Sequence, residues 1–95
     1  MLEYELENEK EGVRLLLTGD GSIENGEKLK EAFQTALDRG GNIIVDTSGL
    51  ESMDLCLVQT YIAAGKEAED RGVHLELRGK NAQDYMQRVG YQGAS

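Results

Sequence analysis

Residues 41–61 constrain the fold of this chain more than any other stretch. They open with an apolar run at 43–45, continue through a polar run at 46–49, and then carry aliphatic residues at helical spacing. A short apolar run followed by turn-forming residues and a helical pattern predicts a buried strand that leads into a helix. We therefore expect Asp46 to close a central strand that is covered on both faces, and residues 47–49 to form the turn.

Alternating residues predict a hairpin at the start of the chain. Residues 2–6 place three apolar side chains on one face and glutamates on the other, which is typical of a strand buried on one face. Residues 13–18 resume as a second strand, and the link between the two is too short for a parallel crossover. We expect an antiparallel pair followed by a turn at residues 19–22.

Apolar residues at three- and four-residue steps predict three helices after the hairpin. The first is capped by Ser22 or Asn25 and ends at Gly40, the second stops near Gly72, and the third is capped by Asn81. The stripes are Leu29, Ala32, Phe33, Ala36 and Leu37, then Val58, Tyr61, Ile62, Gly65 and Ala68, and finally Ala82, Tyr85, Met86 and Val89.

A last strand, in which Val73, Leu75 and Leu77 alternate with polar residues, completes the order β-β-α-β-α-β-α. This order predicts a small α/β fold, with residues 1–95 forming one domain. Its mixed four-stranded sheet would carry helices mainly on one face, because the first and last strands each have a polar face. The expected core contains Leu15, Leu29, Phe33, Ile43, Val45, Ile62, Leu75 and Met86.

The charge balance excludes several function classes. Ten basic residues are outnumbered by 18 acidic ones, and the net charge is −8, which argues against nucleic-acid and anionic-membrane binding. Apolar runs are too short for a transmembrane helix, so no membrane insertion is expected, and the acidic first residues do not resemble a signal peptide. A single cysteine allows no internal disulfide and favours a reducing compartment, the cytoplasm.

No constellation of catalytic or metal-binding residues is visible in the sequence. The only histidine, His74, has no cysteine or histidine at ligand spacing, so neither a metal site nor a catalytic triad is predicted. Residues 19–22 lack the lysine of a phosphate-binding loop. We expect no enzyme activity and no cofactor, and the expected target is a protein partner or a small ligand.

The start of the second helix is the candidate site. Asp54 stands where an N-cap belongs, and Cys56 lies in the first turn, where the helix dipole favours an anion or a thiolate. The alternative is that Asp54 is only a cap and Cys56 only a small buried residue. The turn containing Asp20 and Gly21 is expected to lie near this helix start.

Residues 43–58 resemble the signature of the STAS family, the sulfate-transporter and anti-sigma-factor antagonist domain. The family pattern is an apolar strand, Asp-Leu-Ser-Gly-Val, a short loop, and Asp-Ser-Ser-Gly-Leu at a helix start. Asp46, Ser48 and Gly49 match its first half, and Asp54 matches the aspartate of its second half. Residues 72–79 are similar to the family's next strand. The family's usual element order is the one predicted above, so the resemblance implies an anti-sigma-factor-antagonist-like fold.

The departures from the family pattern concern regulation. In the family's antagonists the second serine of Asp-Ser-Ser-Gly is phosphorylated by a partner kinase, and here Cys56 occupies that regulatory position. The resemblance thus implies a bacterial transcription-regulation module that binds a serine-kinase-type anti-sigma factor or switch kinase, without the usual phospho-switch. The implied partner-binding residues are Ser52, Met53, Asp54, Leu55, Cys56, Leu57 and Gln59. Leu55 and Leu57 either extend this surface or pack inward.

Other readings of the same residues remain open. Phosphorylation at another hydroxyl would replace the missing switch, and the candidates are Thr47, Ser48, Ser52 and Thr60. Cys56 would alternatively act as a redox-sensitive thiol. STAS-like domains also serve as accessory subunits of lipid or anion transport complexes, where the partner would be a transporter ATPase and a hydroxyl switch is dispensable.

Overall fold

A mixed four-stranded sheet with helices packed on one face organises the chain. The computed structural model describes residues 1–90 and confirms the predicted element order and the α/β fold class. The elements are β1 (Leu2–Glu9), β2 (Gly12–Gly21), a short 3₁₀ helix (Ile23–Asn25), α1 (Gly26–Leu37), β3 (Asn42–Met53), α2 (Leu55–Arg71), β4 (Leu75–Arg78) and α3 (Lys80–Arg88).

The strands lie in sequence order, β1-β2-β3-β4, and this order explains the one-sided packing. β1 pairs with β2 antiparallel, and the pairs β2–β3 and β3–β4 are parallel. Each parallel step moves in the same direction across the sheet, so right-handed crossovers place their helices on the same face. The buried residues of β1, β2 and β3 share a face with the buried stripes of the helices.

The core confirms most of the predicted buried residues. Leu15, Leu29, Phe33, Ile43 and Val45 are buried in one cluster, and Leu75 and Met86 are partly buried against it. Ile62 was predicted to be buried, and this is wrong, because it is only half-buried on α2. The helix turns a different face inward, whose buried residues are Leu57, Val58, Thr60, Ala64 and Ala68.

β3 is much longer than predicted, and the turn expected at residues 47–49 is wrong. The strand continues past Asp46 through residues 47–49 to Met53, so these residues form no turn. β3 uses 12 residues where β2 uses 10, because register shifts at two points leave an extra residue on β3 each time. The polar residues after Asp46 thus form a β-bulge, which bends a strand without ending it. The turn expected at residues 19–22 is also wrong, because β2 continues to Gly21.

Three further expectations, one for the covering of β3 and two for the helix caps, are corrected. Ile44 is half-buried on the helix-free face, so β3 is covered by helices on one face only. The Asn25 and Ser22 side chains make no capping bond to a helix start. Gly79, with φ of 124°, precedes α3, and Asn81 instead bonds with its side-chain amide to the carbonyl oxygen of Thr47 at 2.8 Å.

No helix within residues 1–90 has both the length and the apolar character that crossing a bilayer requires.

Replacing Phe33 by alanine tests the packing of α1. Phe33 is only 3% exposed, so we expect the change to lower the free energy of unfolding by about 3–5 kcal/mol through lost burial and a cavity. Urea denaturation followed by circular dichroism measures it. The neighbouring exposed residue supplies the control, since Gln34→Ala should change stability by less than about 0.5 kcal/mol. A loss below about 1 kcal/mol for Phe33→Ala would contradict the packing of α1 described here.

Candidate functional site

The carboxyl ends of β2 and β3 meet the start of α2 and form one corner of the molecule. We define the corner as residues 20–23 and 52–57. Residue pairing in the sheet sets Asp20 opposite Ser52 and Gly21 opposite Met53. Only Asp54 separates β3 from α2, so the chain passes from strand to helix within one residue. The structure thus brings together the two segments that the sequence marked as site candidates.

Asp54 joins three parts of the corner with one carboxylate. Its Oδ1 accepts a hydrogen bond from the backbone N–H of Cys56 at 2.8 Å, which confirms the predicted N-cap. Its Oδ2 accepts the backbone N–H of Ile23 at 3.0 Å. The same side chain therefore caps α2 and fixes the 3₁₀ helix that leads into α1.

Asp20 is the centre of a second hydrogen-bond cluster at the corner. Its carboxylate accepts the hydroxyl of Ser52 at 2.6 Å, the hydroxyl of Ser22 at 2.9 Å and the side-chain amide of Asn25 at 3.2 Å. The Ser52 hydroxyl, followed by that of Ser22, lowers the pKa of Asp20 below its ordinary value of 3.8. Asp20 thus stays ionised and fastens the end of β2 to the end of β3.

The motif Asp-x-Ser-Gly at residues 46–49 forms the β-bulge and lies outside the corner. The Asp46 carboxylate accepts the Ser48 hydroxyl at 2.6 Å and the Ser48 backbone N–H at 3.0 Å, and Arg14 donates to it at 3.1 Å. These bonds, led by the Ser48 hydroxyl, lower the pKa of Asp46. Glycine is needed at position 49 because a Cβ there would lie 2.7 Å from a Thr18 methyl group.

Cys56 is half-buried and packs between the two helices. Its Sγ lies 4.0 Å from the Thr60 hydroxyl, and a Cβ added at Gly26 would lie only 3.3 Å from the sulfur. The thiol therefore fills the space above the first residue of α1. Asp54 is thus a cap that also holds Ile23, and Cys56 packs as a small, half-buried side chain.

Two aliphatic side chains are exposed at the corner. Leu55 is 51% exposed and Ile23 is 72% exposed. Leu57, the other leucine considered for this surface, is 2% exposed and packs inward. Met53 is partly buried against the core, and Gln59 is exposed one turn into α2. The sequence indicated Leu55 but not Ile23, whose only signal is an isolated aliphatic residue in a polar turn.

The hydroxyl groups near the corner differ in their accessibility. Thr47 is 0% exposed and donates to the carbonyl oxygen of Arg78, and Thr60 is 8% exposed and donates to that of Cys56. Both threonines are therefore inaccessible to a kinase in the folded protein. Ser48 and Ser52 are exposed, and each donates its hydroxyl to an aspartate.

Within residues 1–90, no group of three or more histidine, cysteine, aspartate or glutamate side chains is arranged to hold a metal ion. His74 is exposed beside the start of β4 at the opposite end of the sheet from the corner, where its backbone N–H is bonded to the side chain of Asn42 at 2.9 Å.

A protein-family model described as "Mlab, STAS domain" matches residues 5–90 of this chain. The match includes both halves of the corner and the whole of β3. A search of curated proteins finds no match.

Solved structures of anti-sigma-factor antagonists share the fold at low sequence identity. One from Mycobacterium paratuberculosis has a TM-score of 0.78 and 13% identity, over 95% of this chain and 79% of that chain. SpoIIAA in its unphosphorylated form has a TM-score of 0.61 and 20% identity, over 92% and 97% of the two chains. A STAS domain from Rhodobacter sphaeroides has a TM-score of 0.61 and 21% identity, over 84% and 88%.

Replacing Ser52 by alanine tests the Asp20 cluster. Without the Ser52 hydroxyl the pKa of Asp20 should rise toward 3.8, because the strongest bond to its carboxylate is lost. A carboxyl group whose pKa is lower in the folded than in the unfolded state stabilises the folded protein, and this stabilisation is fully present above the unfolded-state pKa. The wild type should therefore be more stable than Ser52→Ala above pH 3.8, and this difference should disappear as the pH falls through the pKa of Asp20 in the folded wild type.

NMR titration of the side-chain carboxyl carbons measures both aspartates in one experiment. Ser48→Ala is the matched control, since it should raise the pKa of Asp46 and leave Asp20 unchanged. An Asp20 pKa that does not respond to Ser52→Ala would contradict the cluster.

Proposed function

Because its family model covers residues 5–90, this chain belongs to the STAS domain family, and we propose that it is a non-enzymatic module that docks a regulatory protein through the corner. The observation that carries the proposal is the exposed side chain of Leu55, which occupies the first turn of α2 beside the family's regulatory position. Exposed apolar patches that are rimmed by polar residues are typical of a protein-binding surface.

The hydrogen bonds of Asp54 support the proposal, because they fix the geometry of the corner before a partner arrives. Its two oxygens hold the N–H groups of Cys56 and Ile23. A surface that is already ordered loses little conformational entropy when it binds. The docking residues proposed are Ser52, Met53, Asp54, Leu55, Cys56 and Gln59, with Ile23 added, Asp20 and Gly21 as their support, and Leu57 contributing from the core beneath.

The partner proposed is a serine-kinase-type anti-sigma factor or a related switch kinase, acting in bacterial transcription regulation in the cytoplasm. Phosphorylation at the family's usual position would not release this partner, since Leu55 and Cys56 carry no hydroxyl. Burial of Thr47 and Thr60 supports this inference, because it removes two of the four substitute acceptors.

The second candidate function is an accessory subunit of a lipid or anion transport complex. The same lack of a hydroxyl at positions 55 and 56 favours it, since a permanently assembled subunit needs no release switch. In that case a transporter ATPase would occupy the corner. Co-purification of an ATPase and a permease, without a kinase-like regulator, would select this function.

Replacing Leu55 by glutamine tests the corner as the docking surface. Glutamine keeps the length and helix propensity of leucine but removes its apolar surface, so we expect capture of the partner from native extract to fall by about tenfold or more. The capture is quantified by mass spectrometry. Val89→Gln is the control, because Val89 is also an exposed aliphatic residue, at 43%, and lies at the end of α3 outside the corner. Equal capture by the wild type and Leu55→Gln would refute the docking surface.

Incubating the captured complex with ATP and Mg²⁺ tests the missing switch. We expect the wild-type complex to persist and its mass to stay unchanged, because position 56 offers no hydroxyl acceptor. Cys56→Ser restores an acceptor at the family's position, so a kinase partner should phosphorylate this variant and release it. A phosphate mapped to any residue of the wild type that releases the complex would disprove a docking module without a phospho-switch.

A further inference from the structure

β1 leaves one side of the sheet without a partner strand. It is the first strand in the order β1-β2-β3-β4, and its eight residues pair with β2 alone. In an edge strand every second residue turns its backbone N–H and C=O away from the neighbouring strand, where they can bond to an added strand. The outer side of β1 is therefore a template for an extended segment.

The other unpaired stretches of the sheet are shorter or partly covered. β4, at the opposite edge, has only four residues. β3 has no β4 partner beyond Asp46, but the side-chain amide of Asn81 donates there to the carbonyl oxygens of Thr47 at 2.8 Å and Leu50 at 3.3 Å. In the part of the chain that the structure describes, β1 thus presents the longest free edge.

A groove with a volume of about 480 Å³ lies at this edge. Its lining comes from β1, β2 and α1 and includes Glu3, Tyr4, Glu5, Leu16, Lys28 and Glu31. Three carboxylates and one lysine are its charged groups. Tyr4 and Leu16 are half-buried, and the Tyr4 hydroxyl donates to Glu31 at 2.9 Å. We call the outer side of β1, residues 2–9, together with this groove the β1 edge.

The solvent face of β1 is a row of glutamates. They occupy every second position and are all exposed, at Glu3, Glu5, Glu7 and Glu9. Carboxylates two residues apart on a strand are about 7 Å apart, so their charges repel one another. Of the four, only Glu9 has an ion pair within residues 1–90, with Arg14 at 3.5 Å.

The neighbouring strand supplies no free cation to the other three carboxylates. β2 sets the neutral residues Thr18 and Leu16 opposite Glu3 and Glu5. The third carboxylate lies opposite Arg14, whose guanidinium already donates to an aspartate of β3 at 3.1 Å. Neutralisation of the glutamate row therefore requires basic groups from outside the sheet.

Charge complementarity selects the occupant of the β1 edge. Side chains of an added strand lie directly beside those of β1 on the same face, where opposite charges stabilise the pairing and like charges oppose it. A basic strand would therefore be favoured. A second copy of this chain is disfavoured, because antiparallel pairing of two β1 strands would set glutamates beside glutamates.

We propose that the β1 edge pairs with an extended segment of a partner protein in which basic residues alternate with apolar ones. The backbone of this segment continues the sheet beside β1. Its basic side chains lie beside Glu3, Glu5 and Glu7, and its apolar side chains cover the half-buried Tyr4 and Leu6 on the other face. The β1 edge shares no residue with the corner, so this second docking surface goes beyond the proposed function and does not depend on it.

A synthetic peptide tests the β1 edge without the natural partner. The probe is a nine-residue peptide of alternating lysine and valine with blocked ends, added to ¹⁵N-labelled protein at physiological salt. We expect amide shift changes centred on residues 2–9. Every second amide of β1 should also exchange with solvent about tenfold more slowly in the complex, because a new backbone hydrogen bond protects it.

A second peptide isolates the contribution of alternation. It has the same composition, but its lysines are clustered at one end. We expect it to bind about tenfold more weakly, because only alternation places every lysine on the face that carries the glutamates.

A charge reversal on β1 tests the glutamate row. Glu5→Lys changes an exposed residue that lines the groove, and it should weaken binding of the alternating peptide by about tenfold. Glu69→Lys makes the same charge change at an exposed site near the end of α2 and should bind like the wild type. Circular dichroism confirms that each variant is folded.

Several results would overturn the inference. They are no shift changes in residues 2–9, equal binding of the two peptides, or equal binding by Glu5→Lys and the wild type. Shift changes without slower exchange of the β1 amides would show charge attraction without strand pairing, and shift changes centred on the corner or on residues 50–53 would place the peptide elsewhere. Self-association through β1 in sedimentation velocity would identify a second copy as the occupant.

Discussion

One carboxylate determines the geometry of the corner. Asp54 is the only residue between β3 and α2, and its two oxygens accept N–H groups from opposite directions along the chain. One bond caps α2, and the other holds Ile23 at the entrance to α1, 31 residues earlier in the sequence. The helix starts of α1 and α2 are thus fixed relative to each other by a single side chain. The position of the exposed Leu55 depends on that arrangement.

Strand order decides where such a site can form. Because the strands follow each other across the sheet, the crossovers all place their helices on one face, and the parallel strands end at one edge. The opposite face carries charged residues that pair with one another, including Arg14 with Asp46 and Arg78 with Glu76. Ile44 on that face is half-buried and thus less exposed than Leu55 and Ile23, so the corner is the stronger candidate for a partner surface.

The sequence predicted the element order, the helix-bearing face and the capping role of Asp54, because periodicity and capping are local properties. The sequence wrongly predicted a turn at residues 47–49, because Asp-x-Ser-Gly has the composition of a turn. Within the sheet, Asp46 satisfies the N–H of Ser48, and the neighbouring strand continues alongside, so the same residues form a β-bulge. The inward face of α2 was misplaced for a similar reason: close packing selects Thr60 and Ala64 over the larger Ile62, and that choice depends on the facing helix.

Cys56 bears on how the proposed docking function would be regulated, because it carries no hydroxyl. The sulfur lies beside Gly26, where an added Cβ would approach it to 3.3 Å. Serine is close to cysteine in size, but only serine accepts a phosphoryl group as a stable ester. An exchange of one for the other therefore changes the chemistry of residue 56 more than its packing. Under the proposed function, a chain that retains Asp54 and Gly26 and places a thiol between them would keep the docking surface and leave control of binding to the partner.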